Sequence, residues 1–143
     1  MKTITLEQLR TLGACRDQIR EFKRLFGSEV RVTVALARKH VMTFNWNWAA
    51  EKLLSSPLLA KYDKVQVLML EKYSKSQASL WVEYMKANTL LFAKYQNGDV
   101  LMLEKYEKDR ALHWVKYEKT CEPLLAKYKK VCAAKFAALY LSH

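Results

Sequence analysis

A tyrosine stands at every eleventh position through the second half of the chain: Tyr62, Tyr73, Tyr84, Tyr95, Tyr106, Tyr117 and Tyr128. Three residues before each lies a large apolar residue (Leu59, Leu70, Trp81, Phe92, Leu103, Trp114, Leu125). The residue just before each is lysine in every unit except Glu83. A fixed period of this kind is read before any local propensity, because it decides the architecture. A slower beat lies on top of it. The heptapeptide VLMLEKY at 67–73 returns unchanged at 100–106, and PLLAKY at 57–62 returns at 123–128, so the copies lie at multiples of thirty-three residues. Duplication in register explains both.

An unbroken helix carrying an eleven-residue repeat would wind into a right-handed supercoil, a rod of about 120 Å for this stretch. Two features speak against it. Pro123 would sit in mid-helix at about 3 kcal/mol and Gly98 would add about 1 kcal/mol. The position four after a tyrosine, between it and the large apolar residue on a helix, is polar in most units (Gln66, Gln77, Asn88, Asp99, Arg110, with Ser55 in the same register before Tyr62), which a single apolar seam would not tolerate. Helix-breaking chemistry recurs every second unit, at Ser55-Ser56-Pro57, more weakly at 74–79, at Asn97-Gly98-Asp99 and at Pro123. The expectation is four helices of about twenty residues, over 57–74, 78–96, 99–119 and 123–141, packed as a bundle or stack. Trp81 and Trp114 are expected in its core, with core tyrosines whose hydroxyls sit at the edge and lysines on the solvated flanks.

Residues 1–54 read as a cap of small helices. Thr5 with Gln8 is a capping-box pair ahead of Leu6, Leu9 and Leu12, and Gly13 ends that helix. Cys15, Ile19, Phe22 and Phe26 recur at helical spacing up to Gly27-Ser28. Arg16, Arg20, Lys23 and Arg24 fall on a neighbouring face as a basic stripe, either a solvated surface or a track for phosphates. Val30, Val32 and Val34 alternate like a strand, but Thr33 also caps a helix over 34–40. The helix is preferred, because a lone strand has no partner elsewhere in this chain. Thr43 or Asn45 caps a helix to Leu54 that carries Trp46 and Trp48. Two residues apart, these rings face different ways: one enters the N-terminal core and the other meets the repeats, or the pair forms an exposed aromatic hot spot. The organisation is thus an all-α chain with an N-terminal small-helix region (1–54) and an eleven-residue-repeat region (55–143), together one folding unit.

The chain has 143 residues, 51% of them apolar, and 25 Lys+Arg against 14 Asp+Glu give a net charge of +11. That balance favours acidic partners: nucleic acid, an anionic membrane or an acidic protein surface. The excess is spread over both halves. The N-terminus has charges throughout and no apolar run of secretory length, and no window approaches the roughly 20 apolar residues of a membrane span. A soluble, cytoplasmic protein with no membrane contact is expected. Three cysteines without a C-x-x-C read as reduced packing residues; Cys121 and Cys132, one repeat apart, lie about 16 Å from each other on a helix, too far to bridge.

Catalytic patterns are missing from the sequence. His40, His113 and His143 lie in different elements. No G-x-S-x-G, H-E-x-x-H, P-loop or G-x-G-x-x-G occurs, and most acids sit beside lysines at helical spacing. No enzyme, catalytic residue, cofactor or metal is expected. Alternating lysines and tyrosines could instead track a nucleic-acid strand, or flank an interfacial lipid-binding helix.

The segment Leu12-Gly13-Ala14-Cys15-x-Asp17-Gln18 with Phe22 and Phe26, then Phe44-x-Trp46-x-Trp48-Ala49-Ala50, then units like Leu125-Ala126-Lys127-Tyr128 over most of the chain, resembles small accessory proteins of bacteriophages and prophages. The resemblance implies a mobile-element protein of the bacterial cytoplasm that blocks a host defence by binding. The expected partner is a host protein or ribonucleoprotein with an acidic surface, such as a CRISPR-Cas complex or a nuclease. Direct nucleic-acid binding through Arg16, Arg20, Lys23 and Arg24 is the rival reading. The resemblance supplies no functional residues of its own; the candidates are that stripe and the aromatic pair Trp46 and Trp48.

Overall fold

A computed structural model describes residues 2–96, 98 and 100–142 of the chain. The order is β1 (Thr3–Thr5), α1 (Leu6–Thr11), α2 (Arg16–Phe26), β2 (Glu29–Arg31), α3 (Val34–Lys39), α4 (Trp46–Leu53), α5 (Ser56–Tyr95) and α6 (Val100–Leu141). The protein is mostly helical, with one short strand pair. It divides into two units, 1–70 with 126–143, and 71–125.

In the first unit the local signals act as capping chemistry demands. The Thr5 hydroxyl accepts from Gln8 N at 3.1 Å and the Gln8 side chain accepts from Thr5 N at 2.9 Å, completing the capping box of α1. Gly13 and Gly27, both at φ 77°, turn the chain after α1 and α2 in the left-handed region. Thr33 caps α3 through its hydroxyl at 3.0 Å from Leu36 N, and Asn45 caps α4 at 3.1 Å from Trp48 N.

The expectation of no strand was wrong. Glu29–Arg31 pairs antiparallel with Thr3–Thr5, Ile4 opposite Val30, and Thr33 caps its helix only after the strand has ended. The partner was the run Thr3-Ile4-Thr5, whose β-branched side chains suit an extended chain. Ile4 is fully buried there. Beneath it lies the core: Leu9 and Phe22 from α1 and α2, Ala37 from α3, Phe44 and Trp46, Ala49 and Ala50 from α4, Tyr62 from α5, and Cys132, Ala133, Phe136 and Ala137 from α6. Trp46 packs against Phe44 at 4.8 Å and Phe136 at 5.6 Å between ring centroids. The Tyr62 hydroxyl donates to Asn47 Oδ1, and Tyr140 donates to the Thr3 carbonyl at 3.2 Å. Burial pushes the Cys132 thiol up, as suits a reduced packing residue.

Four repeat helices were expected; the structure has two, of 40 and 42 residues. The 74–79 run contains neither glycine nor proline, and serine, lysine and glutamine each cost at most about half a kcal/mol in a helix. Pro123 is a stronger breaker, yet α6 continues through it. The ring packing of Trp114 and Tyr117 before it and the burial of Cys132, Ala133 and Phe136 after it hold both flanks helical. The missing amide is overridden by packing, which outweighs local propensity. Of the expected turn Asn97-Gly98-Asp99, only Gly98 is described; its N–H bonds the Tyr95 carbonyl at 3.1 Å, after α5 ends and before α6 begins. Asn97 and Asp99 lie outside the described residues.

In the second unit α5 and α6 run antiparallel. Tyr95 meets Tyr106 at 6.2 Å, and one repeat back on α5 and one onward on α6 Tyr84 meets Tyr117 at 5.3 Å. The period keeps tyrosines opposite tyrosines because both helices step by the same eleven residues. Two of the polar positions that argued against a seam, Gln77 and Asn88, lie half-buried at it, while Arg110 is exposed. Tyr95 donates to Asp109 at 3.0 Å, Tyr117 bonds Gln77, and His113 Nδ1 lies 3.4 Å from Asn88 Oδ1. The tyrosines therefore occupy the seam, and the large apolar residues three positions earlier are displaced to its flank. Trp81 and Trp114 were expected in the core; they are 43% and 41% exposed.

Candidate binding cleft on the first unit

Helix α2 turns Phe22 inward and its basic stripe outward, with Arg16, Arg20, Lys23 and Arg24 all exposed. The stripe is not uniformly basic. Arg20 pairs with Asp17 at 2.8 Å and Arg24 forms a two-point pair with Glu21, its Nε lying 3.0 Å from Glu21 Oε2. The hydrogen bond from Arg24 holds the Glu21 carboxyl below the usual range, and the same bond raises the guanidinium further.

Beside this helix is an open cleft of about 570 Å³, walled by Asp17, Gln18, Arg20 and Glu21 of α2, the 41–47 segment, and Lys129 of α6. The two candidate sets named from sequence meet there: Arg20 contributes a wall and Trp46 lies at the floor. Arg16, Lys23, Arg24 and Trp48 do not line it. Trp46 is only 4% exposed and its indole N–H donates to the His40 carbonyl at 3.2 Å, so it is a core ring with one edge in the cleft. Trp48 is half-buried against the core. Neither is the fully exposed ring of an aromatic hot spot.

Sequence reasoning missed Thr43, Asn45, Asn47 and Lys129. Asn45 was legible as a cap, but the 41–45 segment that swings it to the cleft carries no period, and Lys129 arrives from the far end of the chain. Gln18 Oε1, which has no hydrogen-bond partner among the described residues, also belongs to this wall. Under the cleft, His40 lies edge-on to Phe26 at 5.0 Å; desolvation, with Lys39 and Arg24 adding to it, lowers its pKa. A mixed wall of Arg, Asp, Glu, Asn, Thr, Lys and Met over the edges of Phe44 and Trp46 offers hydrogen bonds in both directions.

Among the described residues no group of His, Cys, Asp and Glu could hold a metal ion. His143 lies outside them. No helix among the described residues is long and apolar enough to cross a membrane. No protein-family model, no curated protein and no solved structure matches the chain.

Proposed function

We propose that this chain is a non-catalytic binding protein that docks on a macromolecular machine of a bacterial host and so blocks it. In this reading it is carried by a phage or prophage, works in the host cytoplasm, and targets a defence or nucleic-acid-processing complex such as CRISPR-Cas or a nuclease. The resemblance supplies that setting, and the net charge of +11 favours an acidic partner surface.

One observation carries the choice of a protein partner over plain nucleic acid: Arg20 and Arg24 are engaged by Asp17 and Glu21 on their own helix. A carboxylate beside a phosphate track repels the backbone and offsets the cation that would neutralise it. Alternating signs next to a cleft with an aromatic floor suit a patterned protein surface, where opposite charges set register and orientation. The second reading, direct nucleic-acid binding, rests on the exposure of all four stripe residues along one helix. Affinity purification from expressing bacteria, with and without nuclease treatment, separates the two. A host protein retained after nuclease supports docking on protein. Loss of every partner, with tight salt-dependent binding to unrelated nucleic acid, supports the second reading.

A further inference from the structure

Along the sequence the positive charge is spread over both halves, but folding gathers it. The first unit, 1–70 with 126–143, holds sixteen of the 25 Lys+Arg and only six of the 14 Asp+Glu, so it carries ten of the eleven net positive charges. That unit bears the cleft beside α2, and the cleft has bonding capacity of three kinds left unused.

The first is a cation. Asp17 and Glu21 in the wall are engaged by Arg20 and Arg24, whereas Lys129 on the opposite wall has no carboxylate in ion-pair contact among the described residues. The second is an acceptor, Gln18 Oε1, which is shielded from water and receives no hydrogen bond among the described residues. The third is a donor. Asn45 accepts the Trp48 N–H at 3.1 Å through Oδ1, which fixes its amide and leaves both Nδ2 hydrogens unused among the described residues.

Resting on the docking reading above, we propose that this cleft takes an acidic peptide loop of the partner. The loop's main chain donates an N–H to Gln18 Oε1 and offers a C=O to Asn45, and an Asp or Glu side chain pairs with Lys129. A peptide segment carries all three complements within a few atoms of one another. Other occupants match the wall less well. A phosphate backbone has no N–H for Gln18 and meets the carboxylates of Asp17 and Glu21. A lipid surface lies across the mouth of a concave cleft and leaves the shielded Gln18 oxygen unpaired. A second copy of the chain brings its own +11 against this unit.

The test is selection of random peptides from a display library on the full chain. Enriched sequences are resynthesised and titrated by fluorescence polarisation against the wild type, K129E and Q18L. Both positions are half-buried, so a thermal melt checks each fold, with K129Q standing in if K129E does not fold. The enriched peptides are expected to carry Asp or Glu at one fixed position. K129E should weaken them about 10-fold or more, and changing that acid to lysine in the peptide should restore binding to K129E. Q18L removes an unpaired acceptor, so its melting temperature should be no lower while peptide binding falls about 3-fold or more. Failure to enrich any peptide, enrichment without an acid, or a folded K129E that binds as tightly as the wild type overturns the proposal. So does Lys129-dependent binding of an unrelated DNA duplex or of anionic vesicles that exceeds binding of the peptides. A host complex retained equally by wild type and K129E after nuclease digestion also overturns it, while leaving docking itself intact. Acid-selective, Lys129-dependent peptide binding with no host complex retained upholds the cleft assignment and removes the host-blocking function instead.

Discussion

His40 shows how single residues in this chain carry measurable consequences. Its imidazole lies against Phe26 with Lys39 and Arg24 nearby, and its pKa falls below the ordinary 6.5, so the folded state prefers it neutral. Below 6.5 the unfolded chain binds the proton more readily than the folded one, and stability drains away as pH falls from there toward the folded pKa; above 6.5 the contribution is complete. Replacing His40 with phenylalanine should flatten the pH dependence of the melting temperature below the ordinary histidine pKa of 6.5. An unchanged slope would mean that other groups dominate it. The same scale shows what the sequence made legible. Thr5, Gln8, Thr33 and Asn45 were readable as caps because capping needs only neighbours in sequence, whereas Thr3–Thr5 was not readable as a strand, its partner lying more than twenty residues away.

Helices obey their packing before their propensities. Pro123 lies inside α6, and its missing N–H leaves the Lys119 carbonyl without that intrahelical donor. Pro123→Ala should therefore raise stability by about 1 to 3 kcal/mol in chemical denaturation; a loss would show that the helix needs the proline's geometry. The repeat was visible and its tyrosines were expected inside, but Trp81 and Trp114, expected there with them, lie more than two-fifths exposed. Trp and Leu are the more apolar, yet the tyrosines take the seam because their hydroxyls reach Asp109 and Gln77 across it, satisfying polar groups that an apolar seam would strand. Truncation distinguishes the two placements. Phe136→Ala, in the core of the first unit, should cost about 3 to 5 kcal/mol. Trp81→Ala and Trp114→Ala, each more than two-fifths exposed, should cost nearer 1 to 2 kcal/mol in the isolated chain, because less area leaves water. Equal losses at all three would place the tryptophans back in a core.

For the whole molecule, charge and surface pattern say more about function than the fold does. The stripe Arg16, Arg20, Lys23 and Arg24 was legible because it follows the helical period. The cleft was not, since it forms only where the 41–47 segment and Lys129 converge on α2. Asp17, Arg20, Glu21 and Arg24 alternate in sign along α2, and in the proposed function that pattern meets a protein with its own pattern of charges. The decisive measurement is recovery of partners on the tagged chain from expressing bacteria after exhaustive nuclease digestion. Retention of a host protein complex, together with salt-labile and weak binding to unrelated DNA or RNA, is the expected result. Loss of all partners on digestion contradicts it, the more firmly if changing the four stripe residues to glutamine flattens the log-log salt slope for plain nucleic acid by several units.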